Sequence, residues 1–310
     1  MYMGHHLRIK LLGLLAGAVI AVGLMSIWLT ATSPDSLWNR LNTYLLPTEL
    51  HEAFFLYQDG NTNTLYHLGQ GVYEPVSVGT IFPTVFFSRR GDHFASIQLA
   101  PQGVYEVRIG ADRLHASKNV TTSAAASPSG ARLAFAEAGE MTLQEVGGRS
   151  TVSLPSSVML MKRGDAGPVL LGSGFSPFFL SEDEVVWFSG QGLMKHDLRT
   201  GTTTLLSAEV MPLAPPYPQP AVSSDASTIA WVTPDTGTIT VASVDASGIQ
   251  VLRSYPAAKG SSISLGNDYL FVLERTTDST NLWRYAFNEQ SEPISVRGLP
   301  RTGLILQLIP

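Results

Sequence analysis

The amino-acid sequence predicts an all-β fold of stacked repeats that follows one N-terminal transmembrane helix. Three observations lead to this prediction. A run of 19 uncharged residues lies near the N-terminus, short alternating apolar runs separated by turn residues fill the remainder, and a turn followed by an apolar strand recurs about every forty residues. With 310 residues, 44% of them hydrophobic, the chain is long enough to bury a substantial core.

The uncharged run covers residues 11–29 and has the length of a helix that crosses the hydrocarbon core of a bilayer. Arg8 and Lys10 precede it, so the positive-inside rule places the tail at residues 1–10 in the cytoplasm and the rest of the chain outside. The run is therefore interpreted as an uncleaved signal anchor at residues 11–30. A cleaved signal peptide and a buried soluble helix are the alternatives.

Three small residues share one face of the predicted transmembrane helix. Gly13, Gly17 and Ala21 recur at four-residue spacing, which is the arrangement of small-xxx-small contacts between membrane helices. The pattern is common in spans rich in Gly and Ala, so the alternative is that these residues have no helix partner.

A juxtamembrane amphipathic helix is predicted within residues 31–50. It begins at a Ser-Pro pair, and Pro47 ends its apolar periodicity. Trp38 and Tyr44 are candidate membrane-interface residues, because aromatic side chains are favoured at the surface of a bilayer. Packing of the same helix against the following domain, residues 51–310, explains the pattern equally well.

Composition narrows the classes of function. The chain has 20 Lys and Arg against 25 Asp and Glu, a formal net charge of -5, which argues against a nucleic-acid partner. Because it has no cysteine, it can form no disulfide, no thiolate metal site and no cysteine nucleophile.

The chain after residue 50 is built from repeats. In each repeat a turn precedes an apolar strand and two further strands follow, so that the strand leading into the turn makes four. One four-stranded sheet cannot bury both of its faces alone, so the units must stack around an axis. The first apolar strand residues of successive units, which are 40, 39, 52, 44 and 41 residues apart, are Phe54, Phe94, Leu133, Val185, Ile229 and Leu270.

Two turns give the repeat a family resemblance. The segment SPSG at residues 127–130 precedes an apolar strand, and DLRTG at residues 197–201 closes a later unit. Ser and Pro start a tight turn, and Gly occupies its strained position. The units resemble the blades of the β-propeller in TolB-type periplasmic proteins, a WD-like repeat family with S-P-D-G before an apolar strand and D-x-x-x-G near the end of a blade. The resemblance covers residues 51–310 and implies a six-bladed propeller at about 43 residues per unit, with five or seven blades as alternatives.

Two departures from the regular repeat are predicted. The first unit begins at its second strand, and the apolar tail at residues 303–309 is one strand left over, so we expect the tail to fill the vacant place and close the ring. The longest spacing indicates an insertion at residues 156–168, interpreted as a partner-binding loop, with an ordinary long hairpin as the alternative. The candidate residues of this loop are Met159, Met161, Lys162 and Arg163.

The common enzymatic motifs are missing from this sequence. It contains no G-x-S-x-G nucleophile elbow, no phosphate-binding loop and no H-E-x-x-H metal motif, and its histidines beyond the N-terminal segment are isolated. No catalytic, cofactor-binding or metal-binding residue is therefore predicted, and no cofactor. Arg89 and Arg90 are interpreted as a solvated turn rather than an anion site.

These patterns favour a membrane-anchored extracytoplasmic propeller that binds an envelope protein as a scaffold in the cell envelope. The family resemblance implies a role in protein assemblies, and the lipid bilayer is the second partner. A propeller enzyme or small-molecule sensor, hydrolase- or lyase-like with its site in the central channel, is the alternative. Three or more His, Asp or Glu side chains at the axis would favour catalysis, whereas a channel of Ser, Ala and apolar side chains would favour binding.

Overall fold

The structure, a computed structural model, describes a large part of the chain. The predicted anchor lies outside the described residues, as do its candidate residues Gly13, Gly17 and Ala21 and the candidate interface residues Trp38 and Tyr44. Within the described part, no helix is long and apolar enough to cross a membrane. The described residues are 46–59, 62–69, 72–75, 84–139, 142–146, 149–153, 155–210, 219–233, 237–256, 262–275, 280–287, 294–295 and 304–310.

The described strands form six four-stranded antiparallel sheets and one two-stranded hairpin. Each four-stranded sheet is a blade, numbered along the chain, and its strands are counted from the axis outward. Blade 1 contains β1 (Phe54–Asp59), β2 (Thr62–Gly69) and β3 (Val72–Pro75), and blade 2 contains β4 (Thr84–Arg90), β5 (His93–Ala100), β6 (Val104–Ile109) and β7 (Asp112–Ser117). Blade 3 contains β8 (Thr121–Ala126), β9 (Arg132–Ala138), β12 (Ser156–Lys162) and β13 (Val169–Ser173). The hairpin of β10 (Thr142–Val146) and β11 (Arg149–Ser153) is inserted between β9 and β12.

Blades 4 to 6 follow without an inserted element, and the last strand returns to blade 1. Blade 4 contains β14 (Phe175–Phe179), β15 (Glu184–Ser189), β16 (Gly192–Asp197) and β17 (Thr202–Ser207), and blade 5 contains β18 (Ala221–Val222), β19 (Thr228–Val232), β20 (Thr238–Asp245) and β21 (Gly248–Pro256). Blade 6 contains β22 (Ser262–Leu265), β23 (Tyr269–Arg275), β24 (Thr280–Ala286) and β25 (Ile294–Ser295). The last strand, β26 (Leu304–Ile309), belongs to blade 1. The six residues that mark the repeat in the sequence lie in the second strands of the six blades, which confirms the repeat. The chain forms a six-bladed β-propeller.

The buried hydrophobic residues in the described part of the chain form six clusters, one at each interface between neighbouring blades. Blades 4 and 5 meet through Phe188 and Trp231, and blades 6 and 1 meet in the same way through Phe271 and Phe55. The ring is therefore closed. Each blade buries apolar side chains on both faces, as the stacking of four-stranded units requires.

The C-terminal strand closes this ring. Strand β26 pairs antiparallel with β1, from Phe54 opposite Ile309 to Gln58 opposite Leu304, and takes the axial position in blade 1. Its Ile305 is buried in the cluster between blades 6 and 1. The prediction that the C-terminal tail fills the vacant place is confirmed.

The propeller core extends to the first described residue. Leu46, before a short 3-10 turn (Thr48–Leu50), and Leu50, at the end of this turn, are buried in the cluster between blades 6 and 1. Arg284 of blade 6 donates a hydrogen bond to Glu49 at 2.8 Å and lies over the Tyr269 ring. Residues 46–50 therefore pack on the propeller, whereas the rest of the predicted amphipathic segment lies outside the described residues.

The insertion in blade 3 lies elsewhere than the sequence indicates. Strand β12 pairs with β9 along its whole length, from Ser156 opposite Ala138 to Lys162 opposite Arg132, so it is a regular third strand. The extra residues form the β10–β11 hairpin, whose two strands pair with each other in a separate sheet. The prediction of an insertion at 156–168 is wrong because β10 and β12 are apolar runs of similar length, and periodicity does not say which of them pairs with β9.

Candidate binding site

The turns between the first and second strands converge around the propeller axis, and two of them share one geometry. In blade 3 the Gly130 N–H donates to the Ser127 carbonyl at 2.8 Å, and in blade 5 the Ala226 N–H donates to the Ser223 carbonyl at 2.9 Å. In each turn the Ser hydroxyl also accepts from the N–H five residues later. The fourth residue is left-handed, with φ of 67° at Gly130 and 59° at Ala226. The Ser of the repeat motif therefore holds the turn, as expected of Ser in tight turns.

An open depression of 460 Å³ lies where these turns meet, and we call it the axial mouth. Turns from blades 2, 3 and 5 form its wall. Its lining residues are Arg89, Arg90, Gly91, Pro128, Ser224 and Asp225.

Arg90 crosses the axis at the mouth. Its Nη1 donates to the Ser224 carbonyl of blade 5 at 2.9 Å, and its Nη2 donates to the Leu180 carbonyl of blade 4 at 3.3 Å. Burial lowers the pKa of Arg90 and the nearby Asp225 charge opposes this effect, but a guanidinium stays charged at physiological pH. Blades 2 and 5 lie opposite each other in a ring of six, so this half-buried side chain ties the ring together. The interpretation of Arg90 as a solvated turn residue is wrong.

Asp225 supplies the negative charge opposite Arg90. It accepts hydrogen bonds from the Ser223 hydroxyl at 2.6 Å and from the Ser227 N–H at 3.0 Å. Burial alone would raise the pKa of Asp225, but these hydrogen bonds and the Arg90 charge lower it below the ordinary value. The carboxylate therefore stays ionised at neutral pH and balances Arg90.

Arg89 is placed differently from its neighbour. Its Cζ lies 5.3 Å from the centre of the Phe54 ring and 5.8 Å from that of Phe94, and its Nε donates to the Gly91 carbonyl at 2.9 Å. No hydrogen bond or ion pair joins its Nη1 and Nη2 to any of the described residues. This planar group can therefore bind an anion in the mouth.

Glu182 of blade 4 forms hydrogen bonds with the turn of blade 3 beside the mouth. Its carboxylate accepts from the Ser127 hydroxyl at 3.0 Å and from the Ser129 N–H and hydroxyl at 3.0 and 2.7 Å, with Arg132 3.6 Å away. Burial alone would raise the pKa of Glu182, but the hydrogen bonds from Ser129 and Ser127 and the Arg132 charge lower it. The Ser-rich turn of the repeat is thus a contact between blades as well as a local turn.

Uncharged polar side chains join the axial strands of neighbouring blades. The Ser88 hydroxyl of blade 2 donates to the Ala124 carbonyl of blade 3 at 2.7 Å, and the Ser176 N–H of blade 4 donates to the Ser123 hydroxyl at 3.1 Å. Gln307 of β26 donates to the Phe87 carbonyl and accepts from the Phe87 N–H. In these contacts a Ser hydroxyl or a Gln amide of one axial strand bonds to the backbone of the axial strand of the next blade.

The histidines that the structure describes are dispersed and do not share a site. His67 bonds to Glu52 and His115 bonds to Glu137, each at 3.0 Å, and His196 bonds to the Thr203 hydroxyl at 2.8 Å. Among the residues that the structure describes, no three His, Asp or Glu side chains are grouped as a metal site requires.

The four candidate residues of the predicted loop do not form a common surface. Met161 is buried in the cluster between blades 2 and 3, and Met159 packs against the same cluster. Lys162 is exposed at the end of β12, whereas Arg163 donates to the Gly130 carbonyl and forms an ion pair with Asp112 of blade 2. Sequence reasoning missed Asp225 and Glu182; the available signal was an acidic residue in the turn of two successive blades.

Comparison with known proteins supports the fold. No family model and no curated protein matches the chain, so the TolB-type resemblance stays a prediction. A puromycin-hydrolyzing peptidase of Mycobacterium tuberculosis has a similar structure, with a TM-score of 0.51 and 14% identity over 80% of this chain. The match covers 44% of that peptidase, so this chain spans less than half of its length. At this identity the similarity shows the propeller fold alone.

Two further solved structures are similar at lower scores. The nidogen/laminin complex gives a TM-score of 0.49 at 8% identity, over 83% of this chain and 97% of that one. An oligogalacturonate lyase in complex with manganese gives 0.48 at 9% identity, over 81% and 75%.

Proposed function

We propose that this chain is a non-catalytic, TolB-type propeller that binds a protein partner of the cell envelope at its axial mouth. Residues 11–30 would anchor it to the membrane with the propeller on the extracytoplasmic side. The observation that carries the proposal is that the charged side chains at the axis differ in whether they already have partners within the protein. Arg90 and Glu182 are engaged in contacts between blades, and Asp225 is held by hydrogen bonds within the turn of blade 5, which leaves an open mouth with the Arg89 guanidinium available.

The shape of the mouth favours a macromolecule over a small substrate. Sites for small molecules bury most of the ligand in a cleft with a few convergent polar groups. Here Arg90 crosses the axis, so the polar groups face an open depression at the surface. The turns around it are held by hydrogen bonds between blades, and such a preorganised surface loses little entropy when a partner binds. The channel enzyme or sensor stays the alternative.

Affinity purification of the full chain from detergent extracts of its host membranes tests the proposal. We expect the same envelope protein in repeated preparations, lost when the bait is omitted. Recovery of no reproducible envelope protein, or of cytoplasmic proteins only, would contradict a scaffold role.

The topology is testable by cysteine labelling, because the chain has no native cysteine. Asp92→Cys places a single thiol in the exposed turn next to the mouth, and His5→Cys places one in the predicted cytoplasmic tail. A membrane-impermeant maleimide should label Asp92→Cys in intact cells with a permeabilised outer layer, and should label His5→Cys only after lysis. The reverse pattern would place the propeller in the cytoplasm.

A further inference from the structure

We propose that the axial mouth binds a carboxylate of the partner protein, an Asp or Glu side chain or a chain end, through the guanidinium of Arg89. This inference rests on the proposed function and names the chemical group that the mouth recognises. Neither the sequence motifs nor the similar structures assign a ligand to this residue.

The first reason is that Arg89 is already held in place. Phe54 and Phe94 pack beside the guanidinium at 5.3 and 5.8 Å, and the two rings meet edge to face at 4.9 Å. The hydrogen bond from Nε to the Gly91 carbonyl fixes the remaining rotation. A guanidinium stacked on aromatic rings is weakly hydrated and loses little freedom on binding, so more of the binding energy is kept.

The second reason is that its donors are available. A guanidinium has five N–H donors, and one of them is used by Gly91. The other four, on Nη1 and Nη2, bind no described residue and form the planar fork that matches the two oxygens of a carboxylate. Arg90, in contrast, uses both of its terminal nitrogens on carbonyl groups of other blades.

The third reason is the balance of charge in the mouth. The Asp225 charge acts on Arg90 across the mouth, and no carboxylate among the described residues lies within ion-pair distance of Arg89. One uncompensated positive charge suits a monoanion. A phosphate dianion fits the same fork, but Asp225 in the wall of the mouth repels its second charge, so a carboxylate is favoured.

A titration with small probes tests the inference without knowledge of the partner. The probes are N-acetyl-glutamate amide, its neutral glutamine analogue and inorganic phosphate, followed by the side-chain Nε–Hε resonances of the arginines. We expect the glutamate probe to shift the Arg89 resonance with a dissociation constant on the order of millimolar, and the glutamine analogue to leave it unchanged.

Three variants make the titration specific. Arg89→Gln should weaken binding of the glutamate probe at least tenfold, measured by calorimetry or ligand-observed NMR, and Arg89→Lys should weaken it several-fold because an ammonium lacks the fork. Arg199→Gln, which removes an exposed arginine outside the mouth, should bind as the wild type does. Equal binding by Arg89→Gln, or tighter binding of phosphate than of the carboxylate, would overturn the inference.

The affinity purification repeated with Arg89→Gln separates this inference from the proposed function. Loss of the envelope partner from Arg89→Gln, with Arg199→Gln still active, supports both. Retention of the partner overturns the carboxylate inference and leaves the scaffold function standing. If neither bait recovers a partner, the scaffold function fails, and the probe titration still decides whether Arg89 binds carboxylates.

Discussion

At the scale of single residues, polar side chains near blade 2 differ in whether they have partners. Gln307 makes two hydrogen bonds with the Phe87 backbone, at 2.6 and 3.1 Å. Gln98 is fully buried, and neither its amide oxygen nor its amide nitrogen has a hydrogen-bond partner among the described residues. The hydroxyl groups of Thr84 and Ser96, which are buried beside Gln98, also have no hydrogen-bond partner among the described residues. Gln98 therefore contributes packing without hydrogen bonding.

The two glutamines give a matched test. Gln98→Met removes unpartnered polar atoms at similar volume, so the free energy of unfolding should stay the same or rise by up to about 1 kcal/mol. Gln307→Met leaves the N–H and carbonyl of Phe87 without their partner and should lower it by about 1–3 kcal/mol. Urea unfolding measures both. A larger loss in Gln98→Met than in Gln307→Met would contradict this assignment.

The Glu182 carboxylate makes a pH-dependent contribution to stability. Because its pKa is lower in the folded chain than the ordinary value of 4.5, its stabilisation is present above pH 4.5 and is lost as the pH falls through the folded value. The side chain is 38% exposed, so Glu182→Gln should cost only about 1 kcal/mol at neutral pH. The difference from the wild type should shrink below pH 4.5 in thermal melts. A constant difference at all pH values would show that the charge is not involved; the exposed Glu209→Gln is the control.

At the scale of elements, the turns before the second strands connect neighbouring blades and also line the axial mouth. The motif at 127–130 predicts a tight turn with Gly in the strained position, and the structure confirms it. The hairpin β10–β11 was missed because two runs of similar pattern compete for one place in the sheet. The place of Arg90 was missed for a different reason, since it bonds Ser224, 134 positions away, and no local pattern encodes such a contact.

The turn geometry predicts unequal effects on stability when Gly and Ala are exchanged in the two turns. Gly130→Ala puts a methyl group against the His93 ring in a left-handed conformation, which should cost about 2 kcal/mol of unfolding free energy. Ala226→Gly relieves similar strain but loses a buried methyl group, so its effect should lie within about 1 kcal/mol of zero. Chemical unfolding measures both. Equal losses in the two variants would contradict a shared turn geometry.

At the scale of the whole molecule, closure of the ring was predictable from the sequence and the residues of the axial mouth were not. In the sequence, the first repeat lacks its axial strand and the C-terminal tail is a strand without a repeat of its own. In the structure this tail, β26, is the axial strand of blade 1. The axial mouth depends on blades 2 to 5 meeting around the axis, so its residues became recognisable only in three dimensions.

Removal of residues 301–310 tests the closure. The deletion takes away β26, exposes the edge of β1 and opens the cluster that contains Ile305 and Leu308. We expect loss of the folded state, seen as loss of the cooperative thermal transition by circular dichroism. Gln307→Met, which keeps the strand, should still melt cooperatively. A deletion variant that is soluble with an unchanged melting profile would contradict the closure.

Site-specific photo-crosslinking in the living host tests the central claim, that the axial mouth faces a protein partner, most directly. A photo-reactive amino acid replaces the exposed Asp92 beside the mouth, or the exposed Gln250 on the outermost strand of blade 5 as the control. We expect position 92 to crosslink to a defined envelope protein and position 250 not to. Equal crosslinking at both positions, or none at position 92, would contradict a binding site at the mouth.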